Sequence, residues 1–127
     1  MDRQGVIDRF RSLGFSADEC WVQTGAAMVM YGLRELTHDI DMGVTTALAR
    51  RIEASGAPYT VFPDGHKKFD IGDDVEASEN WQGGTVTVID GVPVVSPEDI
   101  IRCKRALGRE KDMRDIAIIE EWLKNRG

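Results

Sequence analysis

The chain lacks any stretch of the roughly 18 apolar residues that a membrane-spanning helix needs, and the apolar run Ala26 to Leu33 falls well short of it. Met1-Asp2-Arg3-Gln4 is not followed by the apolar segment of an export signal, so neither export nor membrane anchoring is expected. Positive charge is in deficit: 16 Lys and Arg face 22 Asp and Glu, for a net charge of -6. That balance argues against a protein that coats nucleic acid by bulk charge and leaves only a local basic cleft open. Cysteine is scarce, and Cys20 and Cys103 are far apart among apolar neighbours. They read as buried free thiols in a reducing, cytoplasmic setting. The two histidines, His38 and His66, have no metal-ligand spacing and are expected on the surface. No internal repeat, low-complexity tract or linker is visible. With 127 residues, 42% of them hydrophobic, the chain fits one domain, 1–127, around one core.

What is present is concentrated between Trp21 and Val44. Cys20 to Gln23 reads as a buried strand, and Thr24-Gly25 turns the backbone into Ala26 to Leu33, a helix apolar all round and therefore buried. Thr37 to Met42 then alternates with period 2, as a strand does, with Asp39 and Asp41 on one face and Ile40 and Met42 on the other. Carboxylates at i and i+2 on a strand lie about 7 Å apart and can grip one hard cation or two neighbouring ones. Mg²⁺ is usually held by one or two carboxylates together with substrate phosphates and water. The free N–H groups of the helix opened by Thr24-Gly25 offer a phosphate site beside the pair.

The flanking segments read as support. A helix over residues 2–13 stops at Gly14, and Thr45 or Thr46 caps a helix over Ala47 to Ser55. Tyr59 to Phe62 and Lys67 to Ile71 are strands joined by the turn Pro63-Asp64-Gly65, with Lys68 and Asp70 on one face. Gly72 to Gly84 shows no clear element; Asp73, Asp74, Glu76 and Glu79 read as solvated and Trp81 as an anchor to the core. Thr85 to Ile89 and Val92 to Val95 form a hairpin, with Pro93 arguing for an edge strand. Ser96 caps a helix that runs to Leu107 and stops at Gly108, and Lys104 falls inside its apolar stripe, where an ammonium must snorkel or meet a buried anion. The last helix starts near Asp112 with Met113, Ile116, Ile119 and Leu123 inward. Arg109 and Lys111 before it oppose the helix dipole unless an anion is bound there.

These residues resemble the nucleotidyltransferase superfamily with the polymerase-beta-like fold, in its small bacterial and phage branches. The string Tyr31-Gly32-Leu33-Arg34-Glu35-Leu36-Thr37-His38-Asp39-Ile40-Asp41 is similar to the G-x-x-x-x-T-x-D-I-D motif of one branch. The tail Ser96-Pro97-Glu98-Asp99, Lys104, Arg109, Lys111, Asp112 and Asp115 is similar to the ending of toxin-type and uncharacterised members. The resemblance implies an α/β (α+β) domain, a mixed sheet with flanking helices and two helices at the C-terminus. It implies transfer of NMP from an NTP such as ATP to an unidentified acceptor, whether small molecule, protein or RNA. It further implies Mg²⁺ (or Mn²⁺) on Asp39, Asp41 and a third carboxylate, read as Asp70 with Asp73 or Asp74 as alternatives. Thr24, Gly25, Lys104, Arg109 and Lys111 become the nucleotide-binding set. A toxin-antitoxin component of the same fold, or a non-catalytic nucleotide- or protein-binding domain, are the alternative readings, and a partner chain or homodimer is the expected means of completing so small a site. Thr24 stands where the family often has a glycine.

Overall fold

Helices begin and end where the sequence supplies caps. The side chain of Asp2 accepts from the N–H of Gly5 to open α1 (Arg3–Leu13), which closes on Gly14 in the left-handed conformation. Thr45 caps α3 (Thr46–Ala54) through the N–H of Leu48. Ser96 caps α4 (Pro97–Leu107) through the N–H of Asp99, with Pro97 in the first turn and Gly108 left-handed at its end. Between and around these lie β1 (Cys20–Gln23), α2 (Thr24–Met30), β2 (Ile40–Val44), β3 (Tyr59–Val61), β4 (Lys67–Ile71), β5 (Val75–Glu79), β6 (Val86–Ile89), β7 (Val92–Val95) and α5 (Glu110–Arg126). The structure is a computed structural model, and it describes residues 1–126.

The strands form one mixed seven-stranded sheet in the order β3-β4-β5-β2-β1-β7-β6. β2 runs antiparallel to β1 and parallel to β5, and β1 runs parallel to β7. The fold is thus α+β, with two helices at the C-terminus. β2 lies at the centre, with Ile40, Met42 and Val44 fully buried. α2 is buried at every position but Gly25 and packs on β1, β2, β7, α1 and α4. Cys20 and Cys103 are free and buried. Burial, with Glu19 and Asp18 beside it, pushes the Cys20 thiol up to about 12, and burial pushes Cys103 up to about 11, so neither is a ready nucleophile. Among the described residues no helix is long and apolar enough to cross a membrane.

Four expectations are corrected. β2 begins at Ile40, not Thr37, because Thr37 gives its N–H to the carbonyl of Met1 and its hydroxyl to the carbonyl of Asp39. Gly72 to Gly84 contains a central strand, β5, whose Val75 and Ala77 are buried on one face while Glu76 points to the other. β7, with Pro93, is an inner strand and β6 is the edge; β1 registers against β7 through Val22 and Val94 alone, a short pairing in which a missing donor costs little. α5 starts at Glu110, and Met113 is largely exposed, its place at the start of the inner face being taken by Asp112 and Asp115.

Candidate active site

The parallel pairing of β2 with β5 sets Asp41 directly opposite Glu76. Residues opposite one another on neighbouring strands project to the same face about 4.8 Å apart, so these two carboxylates converge. Asp39 immediately precedes β2 and is fixed from behind, since the N–H of Ile40 donates to the carbonyl of Asp74 at 2.7 Å. Asp39, Asp41 and Glu76 line one cleft of about 550 Å³, together with Thr24, Gly25, Arg34, Thr37, His38, Lys104, Arg109, Lys111 and Asp115. A separate cavity of about 510 Å³ between α1, α3 and β4 contains two arginines, Arg9 and Arg51, already paired with Asp74 and Glu19.

Crowding of like charge is felt most at Asp41. Burial, then the charge of Asp39, push its carboxyl up to about 6, Glu76 adding to the rise and a hydrogen bond from Thr24 opposing it. That donor is the Thr24 hydroxyl, 2.9 Å from Oδ2. Thr24 holds it there with φ at +52°, a region that a β-branched residue rarely enters and that glycine occupies freely. Gly25 follows for a different reason: a Cβ there would stand 2.6 Å from Nη1 of Arg34 and 3.2 Å from the Thr37 hydroxyl. The missing side chain lets the guanidinium lie over the start of α2.

The basic wall is built on buried ion pairs. Lys104, 3% exposed, donates to Oδ2 of Asp115 at 2.9 Å and lies 3.6 Å from Asp112, which is fully buried. Arg34 reaches the same Asp115 oxygen at 2.6 Å, and Arg109 grips Asp112 through its backbone N–H and its guanidinium. The hydrogen bond from Arg109 holds the Asp112 carboxyl below the ordinary range. Burial pushes Asp115 upward, but hydrogen bonds from Lys104 and Arg34 outweigh it and hold this carboxyl low as well. Three cations thus face two anions in the network, and the excess positive charge lies on the cleft side. Lys111, exposed, stands at the rim.

Of the residues singled out from sequence, the cleft gathers Asp39, Asp41, Thr24, Gly25, Lys104, Arg109 and Lys111. It does not include Asp70, which pairs across β4 and β5 with Glu76 and so sits one strand further from Asp41, exposed. The buried anions that Lys104 meets are Asp112 and Asp115 of α5, not the aspartates at β2. Sequence reasoning passed over two residues. Glu76 could have been found from the alternation Val75-Glu76-Ala77, and Arg34 from its place between the glycine helix and Asp39. His38 also lines the cleft. Comparison with protein-family models, curated proteins and solved structures found no match.

The donor set fits the Mg²⁺ that the resemblance implies. A carboxyl raised to about 6 by burial and then by its carboxylate neighbours is a site where a divalent cation relieves crowded negative charge. Among the described residues no three His, Cys, Asp or Glu side chains form a complete ligand group. Mg²⁺ requires no such cage, being held through one or two carboxylates and completed by water and substrate phosphate.

Proposed function

We propose that this cleft carries out metal-dependent nucleotidyl transfer from an NTP to an acceptor hydroxyl. The observation behind the reading is that Asp39, Asp41 and Glu76 line the same cleft as Lys104, Arg34, Arg109 and Lys111. Asp39 and Asp41 would hold Mg²⁺, which when bound neutralises charge on the α-phosphate and on the leaving group. Arg34, Arg109 and Lys111 would bind the triphosphate, and Lys104 would keep Asp112 and Asp115 from repelling it. The acceptor oxygen forms its bond to the α-phosphorus while the bond to the bridging oxygen breaks, its electron pair leaving with pyrophosphate. Glu76, placed opposite Asp41, would take the hydroxyl proton. Positioning and fixed charge supply the rate.

The test is incubation of the full chain with each α-labelled NTP, Mg²⁺ and a cell extract. Label moving to one extract component, with pyrophosphate released, is the expected result. Nucleotide binding without label transfer or pyrophosphate would make this a binding domain and overturn the reading.

A further inference from the structure

The carboxylates also line a second cavity. Thr24, Asp41, Glu76 and Arg109 line both the basic cleft and a smaller cavity of about 280 Å³ that also contains Phe62, Lys68 and Trp81. Phe62 and Trp81 in turn line an outer cavity with Asp64, His66 and Glu79. The carboxylate cluster is therefore a wall shared by two cavities, the basic cleft and an inner cavity whose aromatic end, Phe62 and Trp81, it shares with the outer one.

Trp81 is held in place at some conformational cost. Asn80 and Gln82 on either side of it have φ of +53° and +48°. Three contacts fix the turn: the N–H of Asn80 to the carbonyl of Val44, Trp21 Nε1–H to the carbonyl of Trp81 at 2.7 Å, and Gln23 Nε2–H to the carbonyl of Gln82 at 2.6 Å. Gly43 leaves room for it, since a Cβ there would stand 2.5 Å from the Trp81 carbonyl oxygen and inside the Trp21 ring.

We infer that the aromatic end is the acceptor site and that it takes a small cationic alcohol bearing a flat ring. The inference rests on the transfer reading above: in-line displacement puts attacking and leaving oxygens on opposite sides of the phosphorus, so a triphosphate in the basic cleft leaves the aromatic end to the acceptor. Charge decides the class. In the outer cavity Asp64 and Glu79 face His66 alone, and His66 already lies 3.2 Å from Asp64. In the inner cavity the cations are engaged, Arg109 with Asp112 and Lys68 with Glu76 at 3.7 Å. A positive group gains from both carboxylates and from the aromatic faces, whereas a phosphodiester chain is repelled.

Tyramine, 4-ethylphenol and 4-hydroxyphenylacetate carry the same ring and hydroxyl with a positive, neutral and negative tail. Each is titrated into ¹⁵N-labelled full chain while the indole N–H signals of Trp21, Trp81 and Trp122 are followed, Trp81→Phe assigning the middle one. Tyramine is expected to move the Trp81 signal and to bind at least about tenfold more tightly than 4-hydroxyphenylacetate. Asp64→Asn with Glu79→Gln, both away from the core, brings that ratio close to one. Equal affinities, shifts confined to Trp21 or Trp122, or no binding by any of the three overturns the inference. Mg²⁺ with α,β-methylene ATP is titrated separately, reading the amides of Gly25 and Thr37. Nucleotide binding without tyramine binding sinks the acceptor site alone. Tyramine binding without nucleotide binding sinks the transfer reading, and the acceptor role with it.

Discussion

The Thr24 hydroxyl donates a 2.9 Å hydrogen bond to Asp41 Oδ2 from a backbone whose φ is +52°. Strain and hydrogen bond oppose each other at one residue, so two substitutions separate them. Thr24→Gly removes about 1 kcal/mol of strain and about as much hydrogen bonding, leaving stability nearly unchanged, while the Asp41 carboxyl, no longer stabilised as the anion, titrates higher still. Thr24→Val keeps the strain, loses the donor, and is expected to cost about 1–2 kcal/mol. Urea melts measure both; a Val variant as stable as the Gly variant contradicts the account.

Asp41 also sets a pH dependence. Its carboxyl titrates near 6 in the fold against an ordinary value of 3.8, so the folded state holds a proton that the unfolded chain has lost. The contribution is full below pH 3.8 and disappears as pH rises through 6. Asp41→Asn retains an oxygen for Thr24 and is expected to stabilise the protein by about 1–2 kcal/mol at pH 8, allowing for partial exposure, and hardly at all near pH 4. Melts across that range without such a divergence would remove the crowding argument. Mg²⁺ binding by the unsubstituted chain is expected to strengthen as pH rises past 6.

Lys104→Met keeps the packing of the stem and leaves Asp112 and Asp115 with one cation each. A loss of about 2–4 kcal/mol is expected, near the range for breaking a buried pair. Because the partners of Lys104 belong to α5 and not to the Asp39–Asp41 pair, saturating Mg²⁺ restores none of it. Recovery with Mg²⁺ in a denaturant melt would place the ammonium at the metal site after all. Asp112 and Asp115 titrate below the ordinary range, so their contribution is present above pH 4 and declines as the solution is acidified below it.

Glu76→Gln and Asp70→Asn distinguish the two third-carboxylate assignments. Glu76→Gln is expected to lower turnover by about 10² or more while leaving nucleotide affinity within a few-fold, since the group is assigned to the acceptor proton. Asp70→Asn leaves both within about twofold, as a surface change does. The reverse pattern in steady-state pyrophosphate release would return the role to Asp70.

The difference between reading and structure at this point has a physical origin. Strands β1 and β4, the caps at Thr45 and Ser96 and the stop at Gly108 are local signals, and each falls where the chain itself predicts it. β5 is visible only through its neighbours: Val75 and Ala77 are apolar in alternation, but Asp73, Asp74, Glu76 and Glu79 give the segment the composition of a loop. A central strand carrying acids on its cleft face looks solvated until the cleft exists. Helix periodicity likewise puts Lys104 in the apolar stripe without revealing its partner, because Asp112 and Asp115 lie beyond the Gly108 break and their direction depends on how α5 docks against α4.

The parallel β2–β5 pairing imposes an order of events on folding. A hairpin brings its two strands together through its own turn, but a parallel pair cannot; here α3 and the β3–β4 hairpin intervene, and closing that crossover costs chain entropy before any contact is gained. Helices α1, α4 and α5 and the β6–β7 hairpin need no such closure. Glu76 therefore meets Asp41 only after this crossover has closed. The electrostatic repulsion around Asp41 is thus a property of the closed crossover: while β2 and β5 are apart, Asp41 and Glu76 do not yet crowd one another.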